Sequence, residues 1–193
     1  MAKRLESGVY ATSELEKIYG NRMAVKRAFE AGEINKVIRG YYSTPDLSEP
    51  RNTFVMIAKF CPDAVVSNLS ILQHYGLSQE YVDKVHLDVP NESGYREGNE
   101  LIEFHRSRKM VGVTDISVNG VDLKGYSIHR ALFEVIAVEA NGAGNATREA
   151  VNAYVKSGEA DINELRQFAE LFGSRGEDIV ERVRTVMAGR NVL

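Results

Sequence analysis

Apolar residues in the first 45 positions follow a helical period and then an extended one. Val25, Ala28 and Phe29 sit at i, i+3 and i+4, the spacing that lines one face of a helix. Residues 34–38 and 41–43 are short β-rich runs parted by Arg39-Gly40, a hairpin signal. The punctuation between them agrees. Ser13 and Glu16 have capping-box spacing for a helix over residues 14–19, and Gly20 breaks it. Asn21 is a natural N-cap for a second helix over residues 22–31, which Gly32 stops. Pro45 closes the unit.

Beyond it, residues 44–52 hold prolines, serines and charges, the composition of a linker, which sets a domain boundary near residue 48. Helical patterns follow over residues 51–60 and 67–75, the second capped by Ser67 and closed by Gly76. Segments 81–89, 100–105, 114–118 and 121–126 then alternate or are β-rich, the last two joined by the hairpin dipeptide Asn119-Gly120. Helical periodicity returns over 128–140, 145–156, 162–172 and 177–188. Ile162, Leu165, Ala169 and Phe172 mark one buried face, and Ile179, Val183 and Val186 another. The expected fold is therefore α+β. A winged helix-turn-helix over residues 1–47 precedes a larger mixed α/β domain over 48–193 that ends in a helical segment.

Charge sharpens the reading of the first part. Residues 1–45 carry eight Lys or Arg against five acids, a net of +3, while the whole chain is −3, so the other 148 residues carry −6. A recognition helix reads base edges with Arg, Lys, Asn or Gln near its N-terminus. Asn21, Arg22 and Lys26 supply those types, Lys36 and Arg39 on the ribbon suit phosphates, and Tyr41 and Tyr42 suit packing of the ribbon on the body. The competing account is a solvated helix with two basic residues, and it is the ordered set of caps, glycines and hairpin that outweighs it. About a dozen residues precede Ser13, which leaves little chain for the first helix of a three-helix motif. A second basic run, His105 to Lys109, puts Arg106, Arg108 and Lys109 in position to track a phosphate backbone, with a solvated loop as the alternative. Arg130 and Glu134, four apart on a helix, have the spacing of a structural ion pair.

The remaining composition excludes several classes. With 193 residues and 44% hydrophobic content the chain suits a small module and a medium domain with a core. It has no apolar run approaching eighteen residues and no basic-then-apolar leader, so a membrane span and a secretory signal are not expected and a cytoplasmic protein is. Cys61, the lone cysteine, follows Phe54, Ile57 and Ala58 at helical spacing, as a packed thiol would. An enzyme could use the strand acids Asp83, Asp88, Glu100, Glu103, Asp115 and Asp122 to hold Mg²⁺. They alternate with apolar residues as solvent-facing positions do, no phosphate-cradling glycine loop is present, and His74, His86, His105 and His129 show no metal-ligand spacing. No catalysis, cofactor or metal is therefore expected. A protein-interaction adaptor that uses the basic module as a docking surface is a third reading.

The residues also carry a family resemblance over most of the chain. Ala31-Gly32-Glu33-Ile34 running to Arg39-Gly40-Tyr41-Tyr42 and Pro45 resembles the end of the winged domain of AbiEi-like antitoxins. Pro62-Asp63-Ala64-Val65-Val66-Ser67, with Leu72 and Tyr75-Gly76-Leu77, is similar to that family's helix after the linker. His129-Arg130-Ala131-Leu132-Phe133-Glu134 stands where the family shows Arg-Thr-Leu and then Asp, with Ala131 and Glu134 as departures. The resemblance implies a repressor that binds inverted repeats in its own promoter. It also implies the antitoxin of a type IV toxin-antitoxin system, opposing a partner toxin of nucleotidyltransferase-like fold through the domain at 48–193.

Overall fold

A computed structural model describes residues 5–95, 98–108, 110–140 and 145–189. The chain is α+β, with two sheets, and it divides into two compact units.

The first unit runs to Pro62 and includes Ser117–Leu123. Its elements are β1 (Val9–Ala11), α1 (Thr12–Tyr19), α2 (Arg22–Glu30), β2 (Asn35–Ile38), β3 (Tyr41–Ser43) and α3 (Arg51–Phe60). The strands form an antiparallel sheet in the order β1-β3-β2. Leu15, Val25, Ala28 and Ile34 are buried together under Leu5, Tyr10, Tyr19 and Tyr42. Burying each of Leu15, Val25 and Ile34 is worth about 1.5–3 kcal/mol before chain entropy is charged. The break between units falls after Pro62 and not near residue 48, because α3 packs on β1. Lys59 of α3 fixes that packing. Its ammonium donates to Val9 O at 3.0 Å, pairs with Glu14 at 2.9 Å and lies 4.7 Å over the Tyr10 ring.

The helix starts differ in part from the sequence reading. α1 opens two residues early, with Ala11 as N-cap. Ala11 has no side-chain acceptor, so only the carboxylate half of a capping box exists: Glu14 Oε2 accepts from Ala11 N at 2.7 Å. Asn21 caps α2 as expected, its Oδ1 accepting from Ala24 N at 2.9 Å.

The second unit holds β4 (Val65–Val66), α4 (Asn68–His74), β5 (Val85–Pro90), β6 (Ile102–Ser107), most of β7 (Val113–Val118) and the second half of β8 (Val121–Tyr126). Its helices are α5 (Ile128–Ala131), α6 (Val135–Ala140), α7 (Ala146–Lys156), α8 (Ile162–Ala169) and α9 (Ser174–Met187). The sheet order is β6-β5-β4-β8-β7, with β4 antiparallel to β5 and parallel to β8, and β5 parallel to β6. Leu132, Phe133, Tyr154, Leu165, Val180 and Val183 centre the helical core. The apolar faces expected over 162–172 and 177–188 are buried here, with Leu165 and Ala169 from α8 and Ile179 and Val183 from α9. Among the described residues no helix is long and apolar enough to cross a membrane.

Candidate functional site

Four of the first unit's basic residues meet in one place. Arg22 and Lys26 lie one turn apart on α2, beside the hairpin that carries Lys36 and Arg39. Together with Met23, Tyr42 and Thr12 they line a concavity of about 460 Å³. Three local features set this geometry. Gly40 turns the hairpin at φ 93°, a conformation costly for a residue with a Cβ. Thr12 ties that turn to the start of α1, its N–H and Oγ1 donating to Gly40 O at 2.8 and 3.1 Å respectively. A bulge in β2 pairs Lys36 with Tyr42 and Ile38 with Tyr41, so Val37 and Ile38 both turn inward while Lys36 stays out.

The four cations are exposed. Lys26 lies 3.6 Å from Glu30, an exposed pair of little energetic weight. Among the described residues, Arg22, Lys36 and Arg39 make no ion pair. Asn21 is exposed next to them, but its carbonyl oxygen is held by the cap, which removes half of the bidentate pattern an Asn needs to read adenine. Two residues stand out that sequence reasoning missed. Met23 is 59% exposed at the start of α2, and Phe29, expected on the buried face, is 42% exposed with its ring 6.0 Å from Tyr42. Nothing in the local spacing separates Phe29 from Val25 and Ala28.

Of the expected second basic patch, Arg106 is already engaged within the fold. Arg106 Nη1 donates to the carbonyls of Pro90, Asn91 and Ser93 at 3.2, 3.2 and 2.9 Å and to Ser93 Oγ at 2.7 Å, and Nη2 donates to Tyr95 O. Its fork is committed to holding the loop after β5. Arg108 is exposed. Lys109 lies outside the described residues.

Arg130 and Glu134 form the expected ion pair, at 2.6 Å, and it is buried, with side-chain exposures of 3% and 9%. Glu134 Oε2 also accepts from Asn68 N at 2.8 Å, and the guanidinium stacks 4.1 Å from the Tyr126 ring, whose hydroxyl donates to Asp88 Oδ2 at 2.6 Å. Burial pushes the Glu134 carboxyl above its usual range, opposed by Arg130 and by the Asn68 N–H. Burial also raises the Tyr126 hydroxyl, with Asp88 adding to it. These groups hold one another, as a structural network does.

The strand acids do not assemble a carboxylate cage among the described residues. Asp115 pairs with Lys124 at 2.5 Å, and Asp88 is taken by Tyr126. Instead the parallel register sets His86, Glu103 and His105 on one face of β5 and β6, a cluster that the expectation of no metal-ligand spacing overlooked. Burial and the neighbouring His105 hold the His86 imidazole below its ordinary pKa. Cys61 is half-buried and burial pushes its thiol up to about 11, the inert state expected of a packed cysteine.

No family model matches the chain, and no curated protein does. Among solved structures, the RV2827C protein from Mycobacterium tuberculosis is similar in fold, with a TM-score of 0.53 at 9% identity over 96% of this chain and 78% of that one. At that identity the likeness shows the fold alone.

Proposed function

We propose that the first unit is a winged helix-turn-helix that binds duplex DNA, with α2 as the recognition helix and the β2–β3 hairpin as the wing. The observation that carries this reading is the convergence of Arg22, Lys26, Lys36 and Arg39 from two elements on one open concavity. At 1.5 Å rise per residue Arg22 and Lys26 are about 6 Å apart along the helix, a span that reaches adjacent base pairs in a major groove about 12 Å wide. Met23 adds an exposed apolar side chain suited to a thymine methyl. Lys36 and Arg39 sit on the wing, where phosphates pass. The module is an unusual one, because β1 leads directly into α1 and α3 packs behind the sheet.

The resemblance to AbiEi-like antitoxins extends the proposal: an autorepressor of its own operon that also opposes a nucleotidyltransferase-like toxin, without catalysis of its own. A mobility-shift titration with the chain's own promoter tests the DNA half. Retained sequence-specific affinity after Arg22→Ala and Lys26→Ala together would refute α2 as the reader. Growth rescue on toxin induction, run beside a promoter-reporter assay, tests the other half. Changing Arg22, Lys26 and Arg39 together to Ala should abolish repression and leave protection intact. Loss of both in step would mean that neutralisation works only through repression.

A further inference from the structure

We infer that His86, His105 and Glu103 form a three-ligand site for a zinc-class divalent cation at the β5–β6 edge of the second sheet. His86 Nδ1 and His105 Nε2 are 2.9 Å apart, Glu103 Oε1 is 4.0 Å from His105 Nε2, and the three donor atoms lie within 4.8 Å of one another. A tetrahedral zinc centre with bonds of about 2.0–2.2 Å has donor edges of about 3.3–3.5 Å, so the observed triangle reaches it by opening the imidazole pair by about half an ångström and drawing the carboxylate in by about 0.5–1.5 Å, within the reach of an exposed Glu side chain. The donor set is two imidazoles and one carboxylate, which suits zinc, cobalt or nickel and not the all-oxygen shells of magnesium or calcium.

Protons alone satisfy this cluster poorly. One N–H joins the two rings, which lie nearly parallel with centroids 5.2 Å apart, and the Glu103 charge remains 4.0 Å away. A divalent cation would take a lone pair from all three groups and neutralise the carboxylate. The backbone is already fixed to support this. Around His86, its own N–H donates to Ser70 Oγ at 2.9 Å and its carbonyl accepts from Ser67 N at 3.0 Å, so the inner strand is clamped at the ligand position. Glu103 and His105 sit two apart on β6, an edge strand, and so face the same way with solvent on their outer side. That leaves a coordination position for water or an external ligand, and it would pin β6 to β5 through side chains as well as through the ladder.

The test uses the full chain, stripped with a chelator and titrated calorimetrically with Zn²⁺, with Mg²⁺ as the control. The expected result is saturable binding of one Zn²⁺ per chain, no heat with Mg²⁺, and a tetrahedral visible spectrum with Co²⁺. His105→Asn should weaken Zn²⁺ binding at least tenfold and abolish the Co²⁺ spectrum. Glu103→Gln, at an exposed position that should leave folding untouched, should weaken binding by a smaller factor and decides the matter if the histidine variant misfolds. Absence of saturable binding, or wild-type affinity in Glu103→Gln and His105→Asn, overturns the inference.

Discussion

Arg22 and Arg130 are the same residue type in opposite circumstances. Arg22 stands exposed at the mouth of a concavity with three other cations around it and no ion pair among the described residues. Arg130 is buried, bonded to Glu134 and stacked on Tyr126. Arg106 falls between them: it is exposed, yet its fork is spent on the carbonyls of the 90–95 loop. What an arginine is available to do depends on which of its donors are already used. The first unit keeps Arg22, Lys36 and Arg39 open, at the cost of like charges near one another, while the second uses Arg106 and Arg130 to order backbone and core.

The largest test of this contrast is thermodynamic. Arg130→Met leaves Glu134 buried without its counter-charge and should destabilise the protein by about 3–5 kcal/mol in denaturant unfolding. Adding Glu134→Leu should restore most of the loss, since a buried pair replaced by apolar groups is often neutral. Arg22→Ala should change stability by no more than about 0.5 kcal/mol. A large loss with Arg22→Ala would show that the α2 face is packed and not free.

Binding gives the next effect. Arg22→Ala and Lys26→Ala should each weaken specific promoter binding by about 1–3 kcal/mol, read as mobility-shift affinity. Lys36→Ala and Arg39→Ala should weaken all duplexes alike and lower the slope of log affinity against log salt by about one apiece. Arg106→Ala should leave DNA affinity unchanged while speeding backbone amide exchange in residues 90–95. A DNA defect in that variant would return the second basic run to the binding surface.

Legibility in the sequence followed the range of the interactions. The α2 cap, the Gly40 turn, the Arg51–Phe60 helix and the Val121–Tyr126 strand are encoded within a few residues, and they formed where their spacing placed them. The Arg130 and Glu134 pair was readable for the same reason, being one helical turn long. β1 and β4 escaped because three and two residues carry no period, and their strand character comes from partners at Tyr41–Ser43 and at Leu87, Asp88, Lys124 and Gly125. The His86, Glu103 and His105 cluster was invisible for a related reason. Nothing local tells that β5 and β6 run parallel with His86 opposite Glu103. Arg106 misled because a run of basic residues looks free in sequence, and its carbonyl partners lie 11 to 16 residues upstream.

The smallest expected effect concerns how the first unit is fastened. Burial raises the Glu14 carboxyl, but the Ala11 N–H and Lys59 outweigh it and hold its pKa below the usual value. A carboxylate depressed in the folded state binds fewer protons there than in the unfolded chain. Its contribution is therefore complete above the ordinary glutamate value of about 4.3 and is lost as pH falls through the lower folded value. Glu14 is 38% exposed, so solvent screening keeps the effect small. Glu14→Gln should lower the melting temperature slightly at pH 7, and the difference from wild type should shrink as the pH is taken from 5 towards 3. A constant difference across that range would assign the role of Glu14 to shape and hydrogen bonding, leaving the Lys59 staple without an electrostatic component.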